Sequence, residues 1–192
     1  MKTNSVRIIG GKWRGRKINF PDSNGLRPSS DFIRETLFNW LMASTFGSIC
    51  LDAFAGSGVI GFEALSRGAE KVYFIDQQLP IVRQLQLTAS QIGATQQSQF
   101  IQENTLKFLE KPASIAFDLI FLDPPFNQQL LVPCLQAIQK NNWLKPTGLI
   151  YAEFERGFDL DSHLPEGLSL IKDKKMGAVR YGLLGLVSSP ST

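Results

Sequence analysis

Cysteine and histidine are scarce in this chain, and their scarcity removes several chemistries at once. Cys50 and Cys134 are the only two cysteines among 192 residues. They are too few for a disulfide framework and lack the C-x-x-C spacing of a metal or redox site. Both sit in apolar runs, so they are expected to be small buried hydrophobic residues. His163 is the single histidine, and in the loop-like Asp161-Ser162-His163-Leu164-Pro165 it reads as a surface residue. Neither a Ser/His/Asp triad nor a metal site is therefore expected. No apolar stretch approaches the roughly 20 residues that span a bilayer. No continuous apolar run long enough for a secretory signal follows Met1-Lys2-Thr3-Asn4-Ser5-Val6-Arg7. A cytoplasmic location is expected by default, and internal repeats are absent.

What is present is the composition of an ordinary globular protein, 43% hydrophobic and 19% charged, at a length near the ~150 residues of one domain. A monomer is expected. The formal charge of +3 is unevenly spread. Lys2, Arg7, Lys12, Arg14, Arg16, Lys17, Arg27 and Arg34 face only Asp22 and Asp31 in the first 34 residues, so the remainder is net acidic. A polyanion such as RNA is expected to touch this basic segment, with Arg7, Lys12, Arg14, Arg16, Lys17 and Arg27 as candidate contacts.

Residues 1–25, with short apolar runs and glycine pairs, read as a basic arm or small hairpin belonging to the same unit as the main domain, residues 26–187. Ser29 or Ser30 can cap a helix running to about Met42, with Ile33, Leu37, Phe38 and Leu41 on its buried stripe. From Ile49 onward strand-like and helix-like segments alternate. Strands are expected at 49–52, 71–76, 97–101, 117–122 and 149–155, with helices over 59–67, from Pro80 to Gly93, over 106–110 and through Leu131, Leu135 and Ile138. This alternation predicts an α/β fold with a mainly parallel sheet and helices on both faces. The end differs: 168–174 and 178–187 are separated only by Lys175-Met176-Gly177, too little for a crossover helix, so they must form an antiparallel hairpin. Residues 188–192 are expected to fray.

Two motifs carry chemistry. In Asp52-Ala53-Phe54-Ala55-Gly56-Ser57-Gly58-Val59-Ile60-Gly61 a glycine-rich turn joins the first sheet strand to its helix. It lets the backbone approach a ligand, and the helix start offers N–H groups to a carboxylate or phosphate. Asp76 ends the next strand, where a carboxylate can accept hydrogen bonds from both hydroxyls of a ribose, each worth about 1.5–3 kcal/mol. Asn104 and Thr105 follow the third strand at the same edge, either as adenine contacts or as helix caps. A glycine pattern alone also suits a nicotinamide or flavin enzyme. A carboxylate at Asp52, however, would repel a pyrophosphate and suits an ammonium group, and the closing hairpin is unusual in a plain dinucleotide fold. S-adenosylmethionine is accordingly the expected cofactor, with Asp52, Phe54, Gly56, Ser57, Gly58, Asp76, Asn104 and Thr105 as candidate contacts and Gly61 needed for packing.

The second motif is Asp123-Pro124-Pro125-Phe126, after the fourth strand. Two prolines fix φ and remove two N–H donors, leaving a rigid turn rich in acceptors. The Asp123 carboxylate and the Pro124 carbonyl can each accept one N–H of an amino group. Phe126 can stack on a base for about 1–3 kcal/mol. An exocyclic amine is a weak nucleophile, so such a site must orient it and stabilise the positive charge that develops on nitrogen.

These motifs resemble those of class I, Rossmann-like amino-methyltransferases. More narrowly, Arg7-Ile-Ile-Gly-Gly-x-Trp-Arg-Gly-Arg16, Gly25-Leu-Arg-Pro-Ser-Ser-Asp31, Arg34-Glu-Thr-Leu-Phe-Asn-Trp-Leu41 and Glu63-Ala-Leu-Ser-Arg67 resemble the RsmD family, bacterial methyltransferases of the guanine N2 amine in 16S ribosomal RNA. The resemblance implies a seven-stranded sheet ordered 3-2-1-4-5-7-6 with strand seven antiparallel, and 16S rRNA in an assembled or assembling 30S subunit as substrate. It carries adenosylmethionine roles to Gly56, Gly58, Asp76 and Asn104, and amine-positioning roles to Asp123, Pro124 and Phe126. Many members carry glutamate where this chain has the shorter Asp76. Action on adenine N6 is the alternative within methyltransferases. A nicotinamide oxidoreductase would leave the Asp-Pro-Pro-Phe turn without a task, and a noncatalytic RNA-binding module would explain only the basic arm.

Overall fold

The computed structural model describes residues 3–21, 30–125 and 129–187, and the chain divides into two units, Met1–Thr105 and Leu106–Thr192. In the first unit, β1 (Thr3–Arg7) and β2 (Lys17–Pro21) form an antiparallel hairpin with Val6 opposite Ile18. The loop between them lies on the end of a helix. Gly11 has φ +73°, and a Cβ there would fall 1.9 Å from the Ser66 carbonyl oxygen. That closeness lets the Lys12 N–H donate to Ser66 O (2.7 Å) and the Trp13 N–H to Ser66 Oγ (2.8 Å).

Helix α1 (Asp31–Trp40) starts at Ser30, whose Oγ accepts from the Ile33 N–H at 3.3 Å, so of the two expected caps, Ser29 and Ser30, the second is used. Ile33, Leu37, Phe38 and the following Leu41 are all buried, as the helical spacing predicts. Arg34 and Thr36 are buried with them.

The first-unit sheet follows from short apolar strands linked by helices. Strand β3 (Ile49–Asp52) leads through α2 (Val59–Ser66) to β4 (Lys71–Asp76), then α3 (Leu79–Ile92) and β5 (Ser98–Gln102). Neighbours run β5-β4-β3, all parallel, with Leu51 opposite Tyr73 and Phe74 opposite Phe100. A parallel sheet covered on both faces needs apolar strands. Here Phe74 packs on Phe62 (ring centroids 4.7 Å) and Phe100 (5.4 Å). Burying one such side chain contributes about 1.5–3 kcal/mol. Gly93 closes α3 at φ +75°. Strand β5 begins one residue later than expected because Thr95–Gln97 form a 3-10 turn.

Helix α4 (Thr105–Leu109) opens at the last residue of the first unit. The second unit then holds β6 (Phe117–Leu122), α5 (Leu131–Lys140), β7 (Leu144–Glu155), β8 (Leu168–Met176) and β9 (Val179–Leu186). Its strands are ordered β6-β7-β9-β8, β6 parallel to β7, and β9 antiparallel to both β7 and β8. Counting Ile49–Asp52 as strand one, the two units carry 3-2-1 and 4-5-7-6 of a seven-stranded, mostly parallel sheet in a mixed α/β structure.

The closing hairpin turns on Gly177 (φ +58°) and Ala178 between the paired Met176 and Val179. Strand β7 begins five residues before the expected position. Phe117 pairs with Leu144 and Leu119 with Leu149, so the strand absorbs Lys145-Pro146-Thr147-Gly148 as an irregularity. Cys50 and Cys134 are both buried. Among the described residues no helix is long and apolar enough to cross a membrane, and the expected frayed segment 188–192 lies outside them.

One charged cluster ties the first unit together. Glu63 on α2 is 0% exposed. Its Oε2 accepts from the Ile9 N–H (2.8 Å) and Arg34 Nη1 (3.4 Å), and its Oε1 from Arg67 Nε (2.8 Å). Arg34, also 0% exposed, donates further to the Arg7 carbonyl (2.9 Å) and to Asp31 (2.5 Å). Hairpin, α1 and α2 therefore meet on one carboxylate. Replacing Glu63 with Ala would strand a buried guanidinium and should cost about 3–5 kcal/mol, seen as a lowered urea midpoint. The double variant Arg34→Met/Glu63→Leu should recover part of that loss. A single-variant loss under about 1 kcal/mol, the size of a surface pair, would mean the cluster is not what holds the hairpin.

Candidate functional site

In the first unit the glycine bend is built by close packing. β3 ends at Asp52, and the loop is held by the Ala55 N–H donating to Ile75 O (2.9 Å) and the Gly58 N–H to Ala55 O (2.6 Å). Gly56 and Gly58 have φ +49° and +74°. Gly58 stands at the start of α2, where a Cβ would lie 2.4 Å from Leu85 and 2.7 Å from Phe62. Only glycine fits both that backbone and that space. A Cβ at Gly61 would meet Phe74 at 2.3 Å and Asp52 Oδ2 at 3.0 Å, so this glycine serves packing.

Asp52 is 4% exposed, and its Oδ2 accepts the Gly61 N–H at 3.0 Å. Burial pushes its pKa up to about 7; the Gly61 hydrogen bond opposes this and the Asp76 charge adds to it. A buried carboxyl balanced near neutrality favours a cationic partner. Asp76 at the end of β4 is half-buried and is also raised, chiefly by burial. Its Oδ1 accepts the Gln78 N–H (2.8 Å) and its Oδ2 the Gly56 N–H (3.2 Å). Both oxygens thus brace the bend, and each keeps a second acceptor position for a hydroxyl.

Phe54 and Asn104 are half-buried, while Ser57 is buried with Oγ accepting the Val59 N–H at 3.4 Å. Thr105 is buried and its hydroxyl donates to the Ala53 carbonyl. It therefore fastens the residue after the third strand to the glycine bend. The donor set of this unit fits adenosylmethionine: a buried carboxyl for an ammonium, a half-buried carboxylate for a ribose, and a bend whose backbone a side chain cannot obstruct.

In the second unit Asp123 and Pro124 follow β6, the first half-buried and the second buried, with Pro125 exposed. Phe126 lies outside the described residues. The turn forms one wall of a cavity of about 680 Å³ whose lining includes Pro124, Pro125, Leu131, Glu153, Phe158 and His163. Glu153 is 4% exposed, and its Oε1 accepts from the buried Tyr151 hydroxyl at 2.8 Å. The Tyr151 phenol is held well above its ordinary pKa by burial first, then by the Glu153 and Asp123 carboxylates.

Sequence reasoning passed over Tyr151 and Glu153. The signal was the alternation Tyr151-Ala-Glu153-Phe-Glu155, which puts two carboxyls on one face of an otherwise apolar strand. His163 is exposed, as expected, yet it lines the cavity and its ring packs on Phe158 at 5.2 Å between centroids.

Of the basic residues, Arg7, Lys12, Arg14, Arg16 and Lys17 are exposed on the hairpin and its loop, and Arg27 lies outside the described residues. Arg16 Nη1 donates to Gln91 O at 3.3 Å. Arg34, counted in the same basic run, is buried and neutralised by Glu63 and Asp31, so it belongs to the interior.

Comparison with known proteins agrees with these features. A family model described as conserved hypothetical protein 95 matches residues 6–185. The ribosomal RNA small subunit methyltransferase D of Haemophilus influenzae is 46% identical over 180 residues, 93% of this chain and 92% of that protein. The solved structure of yhhF from Escherichia coli superposes with a TM-score of 0.85 at 37% identity, covering 97% of this chain and 100% of that one. The RsmC 16S rRNA N2 methyltransferase of T. thermophilus, solved with AdoMet and guanosine, has a TM-score of 0.70 at 19% identity over 96% of this chain and 50% of its own, a likeness of fold. The chain belongs to the conserved hypothetical protein 95 family, that of the RsmD methyltransferases.

Proposed function

We propose that this chain transfers a methyl group from S-adenosylmethionine to the exocyclic N2 amine of a guanine in 16S ribosomal RNA, acting as a cytoplasmic monomer on an assembled or assembling 30S subunit. Residues 26–187 form the methyltransferase domain and residues 1–25 its basic extension. The observation that carries the reading is the acceptor-rich turn after β6. Half-buried Asp123 and buried Pro124, followed by a second proline, supply oxygen acceptors, and the two prolines bring no N–H. The names of the relatives support ribosomal RNA as the substrate, and the guanosine seen with RsmC supports the base. A nicotinamide enzyme has no use for this turn, and membership of a methyltransferase family removes that alternative.

Adenosylmethionine, when bound, supplies an electrophilic methyl on a sulfonium. Asp52 would hold its ammonium, Asp76 its ribose, and Phe54, Gly56, Ser57, Gly58, Asn104 and Thr105 would form its surroundings. Asp123 and the Pro124 carbonyl take one N–H each of the amine, which fixes the direction of the nitrogen lone pair. Their negative charge and dipole stabilise the positive charge that grows on nitrogen, and Asp123 can hold the proton that the methylated amine sheds. Phe126 supplies an aromatic face for the base, extruded from its stack at a cost of a few kcal/mol. The hairpin cations Arg7, Lys12, Arg14, Arg16 and Lys17, with Arg27, neutralise phosphates.

Asp123→Ala should lower kcat by about 100- to 1,000-fold while leaving adenosylhomocysteine affinity nearly unchanged by calorimetry. Mass spectrometry of nucleosides from methylated RNA should show N2-methylguanosine; N6-methyladenosine would replace the guanine reading with the adenine one. Because Asp52 titrates near pH 7 and must be ionised to meet an ammonium, adenosylhomocysteine affinity should rise about tenfold per pH unit up to about 7 and then level off. Proton release on binding should fall in step, and Asp52→Asn should remove the pH dependence. A flat profile in the wild-type protein would take Asp52 out of the ammonium site. Replacing Arg14 and Arg16 with Ala should reduce the slope of log affinity for rRNA against log salt by about two. An unchanged slope would remove the arm from the RNA interface.

A further inference from the structure

Asp123 and Pro124 recognise an amine, and both guanine and adenine carry one. The difference lies beside it. On guanine the N2 amine adjoins the N1–H, a second donor, whereas on adenine the N6 amine adjoins N1, a bare lone pair. A site that reads guanine needs a third acceptor next to the two that hold the amine.

We infer that Glu153 is that acceptor: its carboxyl takes the N1–H of the target guanine in the cavity walled by Pro124 and Pro125, and so turns an amine-reading turn into a guanine-reading site. The inference rests on the guanine N2 reading above. Among the described residues Glu153 is one of two carboxyls lining the cavity, the other being Glu155, two residues along the same strand face. Glu153 is the more deeply buried, at 4% exposure against half-buried Glu155. Burial makes its orientation a property of the core and not of solvent.

The orientation has a cause. Tyr151, buried two residues earlier, donates its hydroxyl to Glu153 Oε1 at 2.8 Å. Burial and two nearby carboxylates keep that phenol protonated, so it is a donor at every working pH and fixes the carboxyl as an acceptor. Glu153 shares the cavity wall with Pro124, the residue next to Asp123, and the Asp123 charge also raises the Tyr151 phenol. An adenine presented to this pair would turn its N1 lone pair toward a carboxyl oxygen. That contact is repulsive and leaves both acceptors desolvated without a donor.

The test uses the whole protein and an rRNA substrate carrying either guanine or 2-aminopurine at the methylated position, located first by mass spectrometry of the wild-type product. 2-Aminopurine keeps the amine but has a lone pair at N1. Wild-type protein should prefer guanine in kcat/KM by about 10- to 100-fold, the size of one hydrogen bond to a charged group. Glu153→Gln, whose amide can donate to that lone pair, should bring the two substrates to within about threefold of each other, less than one such bond. Adenosylhomocysteine affinity should stay the same. Tyr151→Phe, which keeps the carboxyl but removes the hydroxyl that orients it, should lower the preference to a value between those of the wild-type protein and Glu153→Gln.

Equal loss on both substrates in Glu153→Gln, with the ratio unchanged, would make Glu153 a structural partner of Tyr151 and overturn the inference. If Glu153→Gln does not fold, a wild-type ratio near one, or a ratio unaltered in the shorter Glu153→Asp, overturns it equally. A wild-type product other than N2-methylguanosine would instead defeat the guanine reading itself. N2-methylguanosine with an unaltered ratio defeats only the role of Glu153.

Discussion

Glu63 is a carboxylate with no exposed surface that satisfies three donors from three parts of the chain. A buried charge of this kind tolerates one arrangement only, because each missing partner leaves part of a full desolvation cost uncompensated. Ile9 sets the hairpin against α2, Arg34 sets α1, and Arg67 closes the last turn of α2 itself. The other end of α2 is the glycine bend with Gly58 and the Asp52–Gly61 hydrogen bond. The interior cluster and the glycine bend are therefore joined through one eight-residue helix. The basic hairpin is held by the same helix that follows the glycine bend.

The chemistry divides along the chain. The first unit offers a bend kept bare at Gly56 and Gly58 and two carboxyls raised by burial, Asp52 and Asp76, which suit a cationic nucleoside. The second offers acceptors: Asp123, the Pro124 carbonyl and Glu153. Both sets work by removing alternatives. Glycine removes side chains, proline removes donors, and burial removes water that would otherwise solvate the carboxyls. Preorganised acceptors of this sort do not reorganise as charge develops, which is where such sites gain their advantage.

Legibility in the sequence followed local periodicity. β3, β4 and β6 were readable because each is a short apolar run bounded by turn residues, and α1 because Ser30 caps a regular stripe ending at Leu41. The start of β7 was not, because Lys145-Pro146-Thr147-Gly148 has turn composition and only pairing with β6 draws it into a strand. Arg34 enters the charge tally of the first 34 residues with the exposed cations, and a charge tally carries no depth. Thr105 reads equally as a cap or a cofactor contact, and its bond to Ala53, 52 residues away, is invisible to any local pattern.

From the sequence alone came the α/β alternation, the antiparallel closing hairpin, the glycine bend and the proline turn, because each depends on φ preferences, donor loss or repeat distance within a few neighbouring residues. The narrower family resemblance came from four further short motifs between Arg7 and Arg67. Only tertiary structure decided that Arg34 is an interior ion, that Gly11 must be bare because Ser66 presses on it, that Asp52 sits near neutrality, and that Glu153, held by Tyr151, lines the cavity beside Pro124. Burial and the pairing of distant residues set those properties, and neither is written in any stretch of adjacent residues.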